Sequence, residues 1–367
     1  MNKKKISSIA IILPDLRFGG AEKVYLNLSN TWLTLGIDVT FILLNSRGKF
    51  KENLNKKIKI IELKVPKLRN TILPLYKIIK ENNFSIILSA MWPLTSLSIV
   101  SWLLAGRKNK LFVSDHVNLS MSCKFEINFS LIFFKLILNF TYIFASGIIS
   151  VSEGIKKDLL SHFFFKKPKI KTIYNPIYDL EYKKISNSYI NWHNGYDYKI
   201  LNVANLKIQK DHKTLIKAFY LLQKDISCEL VIIGEGVLKK ELIQMIDKYN
   251  LNKKIKIINN QLDINDWYES ADLFVLSSKW EGLGNVLIEA LQFGLKIVST
   301  DCKFGPSEIL NKGEFGLLTK VGDSKELSIS MKKILYDNNF DKQKRINRAK
   351  KFEIRKIANE YLNYLQI

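Results

Sequence analysis

Residues 276–301 read LSSKWEGLGNVLIEALQFGLKIVSTD, and the fold follows from that stretch. The apolar run Ala271–Ser277 leading into it has the composition of a buried parallel strand. Gly282-Leu283-Gly284 then predicts a tight turn, with Asn285 as N-cap, Val286–Phe293 as helix and Gly294 at the C′ position. A strand, a glycine turn and a helix N-terminus make an anion site, because unpaired backbone N–H groups and the positive end of the helix dipole converge there. Two glutamates eight positions apart, Glu281 and Glu289, flank the turn. Carboxylates accept hydrogen bonds from hydroxyl-rich ligands, and an acidic residue near such a turn commonly holds a ribose diol. One short segment thus offers a cradle for a diphosphate and two grips for sugar hydroxyls.

Outward from this segment, short apolar runs alternate with amphipathic stretches. Strands are expected at Ile9–Leu13, Val39–Leu44, Ile86–Leu88, Leu111–Ser114, Ile148–Val151, Ile200–Val203, Leu230–Ile233, Ile255–Ile258, Leu273–Leu276 and Ile297–Ser299. Helical patterns lie between most of them, for example Ala21–Leu35 and Lys213–Leu222. This alternation is the signature of parallel α/β sheets. Strands recur on both sides of a polar, turn-rich stretch at 176–197, which reads as a linker between two Rossmann-like domains. Asp341–Leu365 reads as one basic amphipathic helix.

Composition narrows the function. A chain of 367 residues with 47% hydrophobic content supports two cores. Cys123, Cys228 and Cys302 have no metal-like or redox spacing, which argues for a reducing compartment. The net charge of +23 is uneven, with +16 in residues 1–180 and +7 in the remainder. Such a surface favours anionic lipid headgroups or phosphorylated substrates. Nucleic acid is not expected, because no helix-turn-helix, zinc-finger or RNA-recognition pattern is present. The N-terminal MNKKKISSIAIILPDL has too short an apolar core for a signal peptide and reads as the first strand. Ile127–Ile149 is interrupted by Asn128, Lys135, Asn139 and Thr141. A buried helix leading to a strand at Gly147–Val151 is expected there, and a helix at a membrane interface is the second reading.

Other candidates sit where strands end. Gly19-Gly20, in PDLRFGGAEKV, follows the first strand and opens a helix, so backbone N–H groups face a phosphate or an acceptor. Asp115-His116, in LFVSDHVN, closes another strand, and strand C-termini line the ligand crevice of parallel sheets. Gly234-Glu235-Gly236 follows a further strand, where a nucleotide contact and a plain turn are both open readings.

EGLGNVLIE at 281–289, in the context SSKWEGLGNVLIEAL and followed by KIVSTDCKFGPSEIL, resembles the retaining family four glycosyltransferases of bacterial surface-polysaccharide type. GGAEKVYLNLSNTWLTLG at 19–36 and NVANLKIQKDHKTLIKAF at 202–219 extend the resemblance. It implies an α/β GT-B fold: two Rossmann-like domains, parallel sheets facing a central cleft, and a C-terminal helix crossing back to the first domain. The domains implied are 1–177 for the acceptor, a linker at 178–197, 198–340 for the donor, and a helical 341–367 packing on the first.

The resemblance also assigns roles. Lys210 and the turn Gly282-Leu283-Gly284-Asn285-Val286 would hold the donor diphosphate, Glu281 the donor sugar, Glu289 the ribose, and Gly234 and Glu235 the nucleotide side. His116 would touch the donor sugar, either as an acid–base group or by positioning it. Asn205 stands where the family places an arginine, and an amide makes no forked, charged contact with phosphate. Lys207 is near enough in sequence to supply that charge. The implied reaction moves a hexose or N-acetylhexosamine, with retention, from a nucleotide-sugar, UDP-linked by family tendency, to a lipid-linked saccharide. Capsule, O-antigen, lipopolysaccharide and exopolysaccharide synthesis are the implied settings. No cofactor or metal is implied. The expected location is cytoplasmic, peripheral to the anionic inner face of the plasma membrane. A catalytically silent nucleotide-sugar-binding subunit is the alternative, kept open by Asn205.

Overall fold

The computed structural model describes residues 8–17, 19–123, 130–164, 166–177, 190, 192, 195–261, 263–339 and 341–366. The chain divides into two compact units, Met1–Tyr178 with Phe352–Ile367, and Asp179–Lys351. The linker expected at 178–197 falls largely outside the described residues.

The first unit runs β1 (Ser8–Leu13), α1 (Gly20–Thr34), β2 (Asp38–Leu43), β3 (Lys59–Glu62), α2 (Ile72–Glu81), β4 (Ile86–Ala90), α3 (Leu94–Leu104), β5 (Lys110–Asp115), α4 (Leu119–Ser122), α5 (Leu131–Thr141), β6 (Gly147–Ser150), α6 (Glu153–Leu160) and β7 (Ile170–Thr172). Its sheet is parallel in the order β3-β2-β1-β4-β5-β6-β7. The second unit runs β8 (Tyr198–Val203), α7 (His212–Leu222), β9 (Cys228–Ile233), α8 (Lys239–Lys248), β10 (Ile255–Ile258), α9 (Asn265–Ser270), β11 (Leu273–Leu276), α10 (Asn285–Gln292), β12 (Lys296–Thr300), α11 (Pro306–Ile309), β13 (Leu317–Thr319), α12 (Ser324–Leu335) and α13 (Lys342–Ala349). Its sheet is parallel in the order β10-β9-β8-β11-β12-β13. The last helix, α14 (Ile354–Leu365), belongs to the first unit.

Helices must cover both faces of such sheets, since β4 and β9 are buried at every residue. In each unit the strand order reverses beside the first strand, between β1 and β4 and between β8 and β11. Ligands of doubly wound sheets bind at the strand C-termini next to such a reversal. The fold therefore points to the loops after β8 and β11 in the second unit, and to those after β1 and β4 in the first. Both units are Rossmann-like, which is the expected GT-B fold class.

Two expectations are corrected. Asp341–Leu365 is not one helix: α13 and α14 are separated at Lys350–Glu353, with Glu353 extended. The two halves serve different cores. Arg345 and Arg348 of α13 donate to the backbone carbonyls of Phe315, Ile309 and Glu308 in the second unit. Ile354, Ile357, Ala358, Tyr361 and Leu365 of α14 join the core of the first. The backbone N–H of Ile177 donates to the Phe352 carbonyl at 2.9 Å where the chain returns. The second correction concerns 127–149. The helix there spans only Leu131–Thr141, and one of its faces is exposed, Ile132 by 72% and Phe140 by 66%. No helix among the described residues is long and apolar enough to cross a membrane.

Trp32 of α1 fixes the returning helix. It is fully buried, packs edge-on to Tyr361 at 6.0 Å between ring centroids, and donates its indole N–H to the Ala358 carbonyl at 3.4 Å. Trp32→Ala is expected to destabilise the protein by about 3–5 kcal/mol in chemical denaturation, the range for deleting a buried large aromatic.

Candidate active site

In the second unit the loops after β8 and β11 are stitched together. The Lys210 ammonium lies 2.5 Å from Glu281 Oε1, and their side chains are only 18% and 6% exposed. The Ser278 hydroxyl donates to the same carboxylate oxygen at 2.6 Å. Around this pair the backbones are cross-linked. Ser277 Oγ donates to the Lys210 carbonyl (2.8 Å), the Lys279 N–H to the Gln209 carbonyl (2.7 Å), and Gln209 Nε2 to the Trp280 carbonyl (2.9 Å). Thr300, at the end of β12, donates to the Ser278 carbonyl at 2.6 Å. Lys210 and Glu281, both singled out in the sequence, therefore meet. Ser277, Ser278 and Gln209, which position them, were not singled out, because a serine beside a strand end has no distinctive sequence signal.

The turn after Glu281 differs from expectation at one residue. Gly284, not Asn285, caps α10; it is left-handed at φ 91° with no side-chain cap, and the helix begins at Asn285. Left-handed backbone favours glycine, which explains the residue there. The amides of Asn285 and Val286 belong to the first turn, whose N–H groups lack intrahelical acceptors. Gly282, Leu283 and Gly284 are buried, and Gly294 follows the end of the helix at φ 70° as expected.

One turn into α10, Glu289 Oε2 accepts the Tyr268 hydroxyl at 2.9 Å. Tyr268 is 1% exposed and stacks on Phe293 at 5.5 Å, so the carboxylate is aimed by a rigid ring. Burial raises the Tyr268 phenol well above its usual range, with the neighbouring Glu289 adding to the effect, so it remains a donor. Tyr268 is a further residue not singled out in the sequence, because a tyrosine that supports a helix carboxylate has no local sequence signal.

Asn205 is half-buried with its side-chain oxygen 3.5 Å from the Asn260 amide, and Lys207 is exposed with no ion pair among the described residues. Gly234 is explained by packing. A Cβ there would lie 2.0 Å from the Ala204 carbonyl oxygen, where the β8 and β9 loops touch, and the Glu235 carbonyl accepts the Leu206 N–H at 2.9 Å. His212 opens α7 beside Lys210, buried, with neither ring nitrogen hydrogen-bonded among the described residues. Burial pushes its pKa down to about 4, aided by the Lys210 charge, so the imidazole is neutral.

The first unit carries a separate polar cluster at the end of β5. His116 Nε2 lies 3.0 Å from the Ser114 hydroxyl and 3.2 Å from the Tyr25 hydroxyl, while Nδ1 is buried without a partner among the described residues. Burial pushes its pKa down to about 3, so the ring is neutral at physiological pH. Asp115 is fully buried; Tyr142 donates to Oδ1 at 3.2 Å, and Oδ2 has no partner among the described residues. Burial pushes its pKa up to about 7, against the opposing pull of the Tyr142 hydrogen bond. At the end of β1, Gly19 is the extended N-cap of α1 and Gly20 its first residue. A Cβ at Gly19 would lie 2.0 Å from the Glu22 carboxylate, so an acidic side chain occupies that turn. Among the described residues no cluster of His, Cys, Asp and Glu is arranged to hold a metal ion.

Comparison with known proteins places this architecture. Residues 188–352 match the family described as glycosyl transferases group 1, and residues 18–179 match glycosyltransferase family 4. A Campylobacter jejuni N-acetylgalactosamine-N,N'-diacetylbacillosaminyl-diphospho-undecaprenol 4-alpha-N-acetylgalactosaminyltransferase is 30% identical over 98% of this chain and 100% of its own. The amylovoran biosynthesis glycosyltransferase AmsD of Erwinia amylovora is 26% identical over 80% of each chain. The solved structure of Anabaena HepE in complex with UDP-glucose superposes with a TM-score of 0.80 at 19% identity, covering 98% of this chain and 99% of that one. The chain belongs to the glycosyltransferases of this family. It is an enzyme of the hexosyltransferase class.

The β5 cluster sets a pH dependence. The native Asp115 carboxyl holds its proton up to about pH 7, whereas an ordinary aspartate loses it near pH 4, so its contribution to stability falls as pH rises through that interval. His116 contributes with the opposite sign, losing stability as pH falls below about 6.5, and does so in parent and variant alike. In Asp115→Asn the amide does not titrate. Urea unfolding from pH 4 to 8 is expected to show the parent losing ground to Asp115→Asn by up to about 1.4 kcal/mol per pH unit.

Proposed function

We propose that the chain transfers a hexose or N-acetylhexosamine from a UDP-sugar, with retention of configuration, to a saccharide carried on a polyprenyl diphosphate during bacterial surface-polysaccharide assembly. The observation that carries the reading is the Lys210–Glu281 pair beside the glycine-capped N-terminus of α10, with Glu289 aimed by Tyr268 one turn on. The full-length Campylobacter relative named for a diphospho-undecaprenol acceptor supports the acceptor class. HepE, solved with UDP-glucose, supports the donor class.

In this reading the second unit holds the donor. Lys210 and the amides of Asn285 and Val286 stabilise charge that develops on the departing diphosphate. Glu281 orients the donor sugar and Glu289 grips the ribose diol. Gly234 and Glu235 line the nucleotide side, and Lys207 supplies the charge that Asn205 lacks. The sugar C1–O bond to the diphosphate breaks, the acceptor oxygen bonds C1 on the same face, and the acceptor proton leaves with the nucleoside diphosphate. His116 acts as a neutral hydrogen-bonding group for a sugar hydroxyl rather than as a proton donor, because its pKa near 3 leaves it uncharged. Beside Gly19 and Gly20 an acceptor hydroxyl fits better than a phosphate, since Glu22 would repel an anion there. The reaction takes place at the cytoplasmic face of the membrane and needs no metal.

Nucleotide release from UDP-, GDP- and ADP-sugars, with and without a polyprenyl-diphosphate saccharide, tests this. Acceptor-dependent release from a UDP-sugar is expected. Lys210→Ala should lower kcat about 100-fold or more, the scale for losing one charge-stabilising donor. Glu289→Ala should raise the donor KM, and Tyr268→Phe should do so by less, with kcat retained. Saturable donor binding without release under any condition would favour the silent subunit that Asn205 keeps open. Absence of both binding and release would overturn the reading.

A further inference from the structure

Helix α5 carries large apolar side chains on both of its faces. Phe134, Leu138, Asn139 and Thr141 face the first unit's interior. Outward stand Ile132 (72% exposed), Phe133 (63%), Leu136 and Phe140 (66%). Their spacing places them within about 100° of one helical face. Phe164 adjoins the helix: its backbone N–H donates to Asn139 Oδ1 at 3.0 Å, and the Lys135 ammonium lies 5.5 Å from its ring centre. Phe164 is itself 59% exposed, and Ile143 and Phe144 extend the patch past the helix end. Burying one face of a helix is sufficient to fold it, so the opposite stripe of large apolar side chains does nothing for this unit in water.

The surroundings say what covers it. Lys166, Lys167 and Lys169 are exposed in the segment beyond Phe164, and α5 itself carries no acid. The only carboxylates on the neighbouring α6 are engaged, Asp158 by Ser120 and His162, and Glu153 by Lys156. The excess of positive charge in residues 1–180 is of the same sign. Exposed apolar side chains followed by exposed lysines, with no acid among the described residues of α5 and of 164–169, match the interface of an anionic bilayer. A span is out of reach: 11 residues cover about 16 Å, against about 30 Å of hydrocarbon.

We propose that α5 and the adjoining Phe164 form a membrane-interface anchor. Ile132, Phe133, Leu136 and Phe140 insert below the headgroups of an anionic bilayer, and Lys135, Lys166, Lys167 and Lys169 pair with lipid phosphates. The lipid-linked acceptor proposed above gives the anchor its purpose. Its test needs neither donor nor acceptor, so failure of one reading is distinguishable from failure of the other.

The full chain is sedimented with phosphatidylcholine vesicles, with and without phosphatidylglycerol. The parent is expected to bind the anionic vesicles, and to bind them less at high salt. Phe133→Ser with Phe140→Ser should weaken that binding at least tenfold, and unchanged thermal melting will verify folding, because both side chains are exposed. Reversal of Lys166, Lys167 and Lys169 to Glu should weaken it by about fivefold or more per residue on phosphatidylglycerol vesicles. A parent that stays in the supernatant, or variants that sediment as the parent does, would overturn the proposal. So would gel filtration showing a dimer that the paired serine variant dissolves, since the face would then be covered by a second copy of the chain.

Discussion

Lys210 and Glu281 come from loops 71 residues apart, and each depends on the other. A carboxylate only 6% exposed is costly without a counter-charge, and removing one partner of such a pair typically costs about 3–5 kcal/mol. Pairing lifts that cost only if both loops hold their places. The hydrogen bonds from Ser277, Lys279 and Gln209 lock those loops at the ends of β8 and β11. The strand reversal between β8 and β11 opens the crevice, and the ion pair keeps its charged wall in one geometry. In the proposed reaction the donor diphosphate meets an ammonium already oriented, so little reorganisation is left for the moment of transfer.

The first unit solves burial differently. The hydrogen bond to Asp115 comes from a neutral donor, Tyr142, and desolvation then dominates, raising the carboxyl toward pH 7. Desolvation acts on His116 in the reverse direction and leaves a neutral ring held by Ser114 and Tyr25. Each group keeps one buried polar atom without a partner among the described residues. Buried polar atoms without partners are uncommon in folded proteins, and each calls for an explanation such as an ordered water, an ion or a catalytic role.

Much of this was legible in the sequence, for physical reasons that also explain the rest. Inner strands such as Ile86–Ala90 and Cys228–Ile233 are buried on both faces and announce themselves as apolar runs. The strands that escaped notice, β3, β7 and β13, lie at sheet edges, where partial exposure admits lysine, glutamate and threonine. Periodicity found the helical character of 341–365 but not its division, because which core each half serves is decided by contacts distant in sequence. At the site, Glu281 and Glu289 stood out because they flank a glycine turn that opens a helix, and Lys210 stood out through the family resemblance of 202–219. Ser278 and Tyr268 did not, since their roles exist only once the loops are folded. The α10 cap moved by one residue because Gly284, in the left-handed region, starts the helix without a side-chain cap.

The return of α14 ties the first unit to the end of the chain. Trp32 and its neighbours on α1 find their cover in Ile357, Ala358 and Tyr361, which are synthesised only after the whole second unit. At 5–20 residues per second, the ribosome needs on the order of ten seconds or more to traverse Asp179–Lys351. For that interval the earlier domain stands with an apolar groove open beside α1, whereas the segments of the later one follow one another without interruption. Birth order and completion order are therefore inverted in this protein. The domain that emerges first finishes last.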